Sequence, residues 1–265
     1  MQPKFELLIV TTQKEDLSFS RDMNFTLPAI ITNQCGKYGY EASGNTVMVS
    51  TPTVGVGINR NIGLDLTEAE YAFIVDDDMV FYDGLEDILN EAVNELPDAD
   101  AIIFNFDYFK DGKKVRSRMS KAGKIDLFSC LNYGICCTLV KTKALKKNNI
   151  YFSTLFGGGC KYGSGEDSLF FLDCVRSGMR VYTYIKPVGM NEYRESTWFK
   201  GYNEKFFYDK GAWIACAFPK IKHLIKWYFI YRFKGRTELS LGAVTKSINS
   251  GIKGFKELKV FDKEK

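Results

Sequence analysis

The sequence predicts an α/β fold: a Rossmann-like domain on a mostly parallel central sheet flanked by helices, with a helical extension at its C-terminal end. Three observations predict it. Strand-like and helix-like segments alternate through the first half of the chain, the pattern of a sheet built through crossover helices. The segment Tyr71–Val75 (YAFIV) is a continuous apolar run that leads directly into three carboxylates. The last quarter changes texture and becomes aromatic and basic at helical spacing.

Taken in order, Phe5–Thr12 reads as a first buried strand, Ala29–Gln34 (AIITNQ) as a second and Thr46–Ser50 as a short third. Gly57–Ala69 carries Ile58, Ile62 and Leu66 at helical spacing, with Asn59 and Arg60 near its start. After the YAFIV strand, Asp83–Leu96 is expected to be a helix with Leu85, Ile88, Leu89, Ala92 and Val93 on one face. Ala101–Phe106 follows as a buried strand, and the polar stretch Asp107–Lys124 as a hairpin or excursion at the sheet edge. Gly134–Lys141 is expected as a strand that buries Cys136 and Cys137, with a short helix over Thr142–Asn148. A glycine-rich stretch, Leu155–Gly165, precedes a helix from Glu166 to Ser177, ended by Gly178, and then a strand over Arg180–Tyr184. No internal repeat or low-complexity linker marks a separate second domain.

Composition narrows the function classes. With 45% hydrophobic and 26% charged residues the chain can bury a large core, which excludes wholesale disorder. A net charge of +4 is too mild to mark a nucleic-acid binder. The seven cysteines lack metal-ligand spacing and their odd number points to reduced thiols. The N-terminus reads as a strand rather than a signal peptide, and no window reaches the roughly 18 apolar residues of a membrane span. The expected location is therefore cytoplasmic, soluble or peripheral. Peripheral contact with a membrane surface, or with a partner helix, is expected through residues 212–234, where Ile221, Leu224, Ile225, Tyr228 and Phe229 share a helical face interrupted by lysines.

The carboxylates are the first candidate chemistry. Asp76-Asp77-Asp78 lies at the carboxyl end of a buried strand, where ligands of open α/β sheets bind. Clustered carboxylates are costly unless a cation or water neutralises them. In extended backbone, Asp76 and Asp78 share one face and Asp77 takes the other. Hard oxygen ligands suit Mg²⁺ or Mn²⁺, which complete their shells with phosphate and water. A solvated acidic turn capping the next helix is the structural alternative. The second candidate is Gly165-Glu166-Asp167, where an acidic pair opens a helix. It reads either as a helix cap or, paired with the first cluster, as the general base for an acceptor hydroxyl. Trp198, Phe199 and Tyr202 read equally as a sugar-stacking surface or as packing, and His223, the only histidine, as a surface position.

The order VDDD, a glycine-rich stretch, then GEDSLFFLDCVRSGMRVYTY resembles the GT-A fold of family 2 glycosyltransferases, over roughly residues 5–190. The segment VGVGINRNIGLDLTEAEYAFIVDDD resembles that family's Arg-Asn helix leading to its aspartate-rich strand. Further on, the segment from Glu195 to Tyr202 and the basic aromatic tail are similar to bacterial capsular and exopolysaccharide enzymes. The resemblance implies a nucleotide-sugar donor and a saccharide or lipid-linked saccharide acceptor, with inversion of the anomeric centre. It implies a GT-A domain over 1–210, with a donor half to about 106 and an acceptor half beyond, and an extension over 211–265. It implies Asp78 as metal ligand with Asp76, and Asp76 and Asp77 beside the donor. Arg60 and Asn61 would lie near the diphosphate, and Thr11, Thr12 and Asn33 near the nucleobase. Asp167 would be the base, with Glu166 meeting the acceptor or orienting its loop. The Gln-x-x-Arg-Trp signature of processive synthases is absent, so transfer of a single sugar is expected.

Overall fold

The computed structural model describes residues 2–193 and 199–261. The chain divides into two compact units: Met1–Thr154 with Glu166–Glu195, and Leu155–Gly165 with Ser196–Lys265. The residues expected as a simple C-terminal extension thus belong to a larger unit that also takes in the glycine-rich stretch.

In the first unit, the strands and helices in chain order are β1 (Phe5–Thr12), β2 (Ala29–Gln34), β3 (Gly39–Ser43), β4 (Thr46–Thr51), α1 (Val56–Leu66), β5 (Tyr71–Asp76), β6 (Met79–Phe81) and α2 (Leu85–Glu95). They continue with β7 (Ala101–Lys110), β8 (Lys113–Ser117), β9 (Gly123–Lys124), β10 (Thr138–Lys141), α3 (Thr142–Asn148), α4 (Glu166–Arg176) and β11 (Val181–Glu192). One sheet runs β3-β4-β2-β1-β5-β10-β7-β11-β6, with β8 added to β7 and β9 to β11.

The sheet is mixed rather than mostly parallel. Strands β4, β2, β1 and β5 are parallel, as are β7 and β11. β10, however, lies antiparallel between β5 and β7. A parallel neighbour needs a crossover, usually a helix, and the chain from β7 to β10 contains only β8, β9 and a 3₁₀ turn over Ser129–Asn132. The hairpin expected after Phe106 is present, with Asp111 and Gly112 both at positive φ in its two-residue turn.

The core fills as the apolar runs require. Phe73 of β5 packs edge-on against Phe104 of β7, and Phe104 meets Tyr184 of β11 in turn. On α2 the expected apolar face is the buried one, with Leu85, Ile88, Leu89 and Ala92 inward. On α1 the expectation fails: Leu66 is exposed, and the buried residues are Gly57, Asn59, Arg60, Gly63 and Leu64. Asn59 can be buried because its amide is satisfied, accepting from Thr51 and Thr53 and donating to the Gly55 carbonyl. The strand expected from Gly134 begins only at Thr138, because Cys137 sits in the left-handed region at φ 56° and breaks extended pairing. None of the seven cysteines is in a disulfide.

The second unit contains α5 (Glu204–Ala217), α6 (Lys222–Phe233) and α7 (Leu241–Phe261). Asn203 caps α5, accepting from the Phe206 N–H at 2.9 Å. Helices α5 and α7 meet backbone to backbone: a Cβ on Gly211 would lie 2.1 Å from the Ile248 carbonyl oxygen, and one on Gly251 would lie 1.9 Å from that of Tyr208. Only glycine permits this approach. None of the described helices is long and apolar enough to cross a membrane.

Candidate active site

The sheet order fixes where a ligand would bind in the first unit. From β1 the chain steps outward to β2 and β4, then returns through α1 to β5 on the opposite side of β1. The order reverses between β1 and β5, which opens a crevice beyond their carboxyl ends. Val10 pairs with Asp76 there, so Thr11 and the acidic triplet lie together.

The triplet does not continue the strand. β5 ends at Asp76, and Asp77-Asp78 form the turn into β6. Strand alternation therefore does not govern where the last two carboxylates point, and each has its own partner. Asp76 accepts from Arg60 at 3.1 Å. Asp77 accepts from the Thr11 hydroxyl and lies 3.6 Å from the Lys14 ammonium. Asp78 accepts from the Asn191 amide at 2.9 Å, brought there because Asn191 of β11 pairs with Met79. Partial burial raises the Asp78 carboxyl above its ordinary range and the charges of Asp76 and Asp77 raise it further, against the lowering effect of the Asn191 bond.

Arg60 joins this cluster to the second one. It is 6% exposed, and its guanidinium donates to Asp167 at 2.9 Å as well as to Asp76, with Glu166 at 3.8 Å. Burial opposes its charge, but Asp167, Asp76 and Glu166 together raise its pKa above the usual value. A residue expected beside the diphosphate is thus turned inward, with its charge engaged by three carboxylates. The planar fork suits the task, since one nitrogen faces each cluster.

Asp167 and Glu166 open α4, where the helix N-terminus favours negative charge. The second oxygen of Asp167 accepts from the Ile135 N–H at 3.1 Å. The loop carrying Ile135 is held by Arg118, which donates to the carbonyls of Phe104, Gly134 and Cys136. Asn61 acts from the other side. Its amide donates to the Phe152 carbonyl at 2.9 Å and accepts from the Phe152 N–H at 2.8 Å. Phe152 lies under the Arg60 guanidinium and stacks on Phe170 of α4 at 4.2 Å. Asn61, expected near the diphosphate, thereby fixes the ring on which both Arg60 and α4 rest.

The expected nucleobase residues divide. Thr11 is buried against Asp77, whereas Thr12 is exposed and bonded to the Gln34 carbonyl. Asn33 is fully buried, and its amide bonds both ways with the Lys14 backbone and also to Ser50. With no surface to offer a base, it instead fixes the loop that carries Lys14. Tyr202 lies in the second unit within an aromatic cluster of Phe199, Phe206 and Phe233, which favours packing over sugar stacking. Trp198 lies outside the described residues, and His223 is exposed on α6 as expected. Lys14, Arg118, Phe152 and Asn191 were missed by sequence reasoning. Only Lys14 carried a signal, as a cation two residues beyond the end of β1.

Among the described residues, no three His, Cys, Asp or Glu side chains form a metal cage. Their donor chemistry is that of a Mg²⁺- or Mn²⁺-type ion, which takes oxygen ligands from one or two carboxylates and completes its shell with phosphate and water. Asp78 is raised first by burial and then by its like-charged neighbours Asp76 and Asp77, and a bound cation would offset both.

No protein-family model and no curated protein matches the sequence. Solved structures do resemble it. S. aureus TarS 1–349 in complex with UDP-GlcNAc matches with a TM-score of 0.60 and 18% identity, over 88% of this chain and 73% of that one. The same TarS fragment solved alone matches with a TM-score of 0.60 at 16% identity, over 95% and 83%. Its complex with UDP matches with a TM-score of 0.58 at 18% identity, over 89% and 73%. The order of strands, the crevice at β1 and β5 and this likeness agree: the chain has the GT-A fold.

Proposed function

We propose that the chain is a glycosyltransferase that moves a single sugar from a nucleoside-diphosphate sugar to a hydroxyl of a saccharide acceptor, with inversion, in bacterial surface polysaccharide synthesis. The observation that carries this reading is the Arg60 bridge, which holds Asp76 at the sheet crevice and Asp167 at the head of α4 on one guanidinium. A donor site and a base are thereby kept at a fixed separation, which group transfer between two bound substrates requires. The complexes of TarS with UDP-GlcNAc and UDP support a nucleotide-sugar donor and make UDP-sugars the first to test.

In this reading Asp78, with Asp76, would hold a divalent cation. When bound, that ion would offset negative charge on the departing diphosphate. Lys14, partly exposed beside Asp77, would add a second positive charge there. Asp167 would take the proton of the acceptor hydroxyl, oriented by Arg60 on one oxygen and the Ile135 N–H on the other. Glu166 would lie beside it and meet the acceptor, which we take to be a lipid-linked saccharide.

The test is release of nucleoside diphosphate from a panel of nucleotide sugars with Mn²⁺, with donor binding followed by calorimetry. Asp78→Ala should lose metal-dependent donor binding, whereas Asp167→Asn should bind donor and fail to turn over. Pyrophosphate release from a sugar phosphate and a nucleoside triphosphate would replace this reading with nucleotidyl transfer. Normal turnover by Asp167→Asn would remove the assigned base.

A further inference from the structure

Helix α6 is apolar on two sides, and only one of them is used within its unit. Ile230 and Phe233 are buried, and Phe229 and Phe233 pack on the rings of Trp213 and Phe207 of α5. Lys226 is buried too, with its ammonium bonded to Asn249 of α7. The apolar face expected from the spacing therefore splits, with Ile225 and Phe229 partly buried while Leu224 and Tyr228 stay outside.

On that outer side Leu224 is 69%, Trp227 55% and Tyr231 79% exposed, with Tyr228 and Ile221 alongside. Their spacing of three and four residues puts them on one stripe. A Trp, two Tyr and a Leu exposed together are not scattered surface apolars but a contiguous patch that wants a partner. Within the segment that carries the patch the charges have one sign. Lys220, Arg232, Lys234 and Arg236 are exposed at its ends, and no Asp or Glu occurs from Lys210 to Thr237.

We propose that this face of α6 docks on an anionic lipid bilayer, with Leu224, Trp227 and Tyr231 entering the interfacial region and the flanking cations meeting phosphate headgroups. Two features favour this occupant over a second copy of the chain. A copy using the same patch would bring like cations together with no carboxylate from the segment to pair them, whereas anionic headgroups are complementary. Trp and Tyr are also the side chains that settle at a membrane–water boundary, where an apolar ring and a polar tip are both accommodated. The inference stands on the second unit alone and does not depend on the function proposed above.

The experiment is co-sedimentation of the full chain with phosphatidylcholine–phosphatidylglycerol vesicles, against phosphatidylcholine vesicles, at low and high salt. Binding should appear with the anionic vesicles and weaken as salt rises. Trp227 emission should shift to the blue on binding, and the shift should vanish in Trp227→Phe. The triple variant Leu224→Ser/Trp227→Ser/Tyr231→Ser alters exposed side chains only and should lose partitioning by more than about tenfold. Lys220→Gln and Lys234→Gln should each weaken it by about fivefold. Absence of binding, equal binding to both vesicles, or undiminished binding of the triple variant would overturn the proposal. So would self-association in sedimentation velocity that the triple variant abolishes while vesicles remain unbound, which would assign the face to a second copy.

Discussion

Replacing Arg60 by Met isolates the bridge on which the site rests. The guanidinium makes two charge-assisted hydrogen bonds, at 2.9 Å to Asp167 and 3.1 Å to Asp76. Such bonds contribute about 1.5–3 kcal/mol each. The Asp167 and Asp76 side chains remain 30% and 43% exposed, so water replaces part of what is lost and the lower value applies to both. That gives a loss of roughly 3 kcal/mol. Met also removes the Nε–H, which is buried without a partner among the described residues, and relief of that orphan donor returns about 1 kcal/mol. The expected net loss is therefore about 2 kcal/mol, because an apolar residue replaces only one member of the cluster and leaves three carboxylates facing each other. Arg60→Lys keeps the charge, but a single ammonium cannot bond in a fixed fork to both clusters, so about half the loss is expected. Urea unfolding reads both variants without screening the charges, with the change in midpoint at constant slope giving the difference. Arg60→Met as stable as the parent, or Arg60→Lys no better than Arg60→Met, would refute the bridge as an energetic feature.

Other outcomes follow from the same structure. Asn61→Ala removes both bonds to the Phe152 backbone and should cost about 2 kcal/mol in urea unfolding, with a buried amide left unpaired. Gly165 sits at φ +119°, and a Cβ there would lie 2.5 Å from the Trp213 ring, so Gly165→Ala should lower the thermal midpoint and alter the near-ultraviolet signal of Trp213. Asp107 is held below the usual carboxylate range: burial acts against this, but bonds from Lys114, Ser117 and Tyr82 outweigh it. A depressed carboxyl stabilises the fold above its unfolded value near pH 4, and that stability is lost as pH falls through the lower folded value. Asp107→Asn should accordingly flatten the fall in stability below about pH 4, as read by urea midpoints across an acid series.

The fold was largely legible because local signals and tertiary demands coincide in it. YAFIV had to be a buried strand, and α2 had to face inward along Leu85, Ile88, Leu89 and Ala92, since apolar periodicity and burial express the same physics. The antiparallel entry of β10 was not legible, because strand direction depends on the connection taken by the intervening chain rather than on the residues of the strand itself. Likewise Cys136-Cys137 resembles a strand in composition, yet a left-handed backbone at Cys137 ends it.

By itself the sequence determined which chemistry is present: an Arg-Asn pair in a helix, a carboxylate triplet after the buried strand that follows it, and an acidic pair at the head of a later helix. What those groups do to one another was decided by the tertiary structure alone. Periodicity set Ile58, Ile62 and Leu66 as the working face of α1, yet the helix turns Asn59 and Arg60 inward, because three carboxylates from two distant segments are there to receive the charge. A buried cation is costly until its partners are in place, and those partners lie 16 and 107 residues away along the chain. Asp76 shares a local stretch of sequence with Arg60 but Asp167 does not, and only the folded chain brings both carboxylates to one guanidinium.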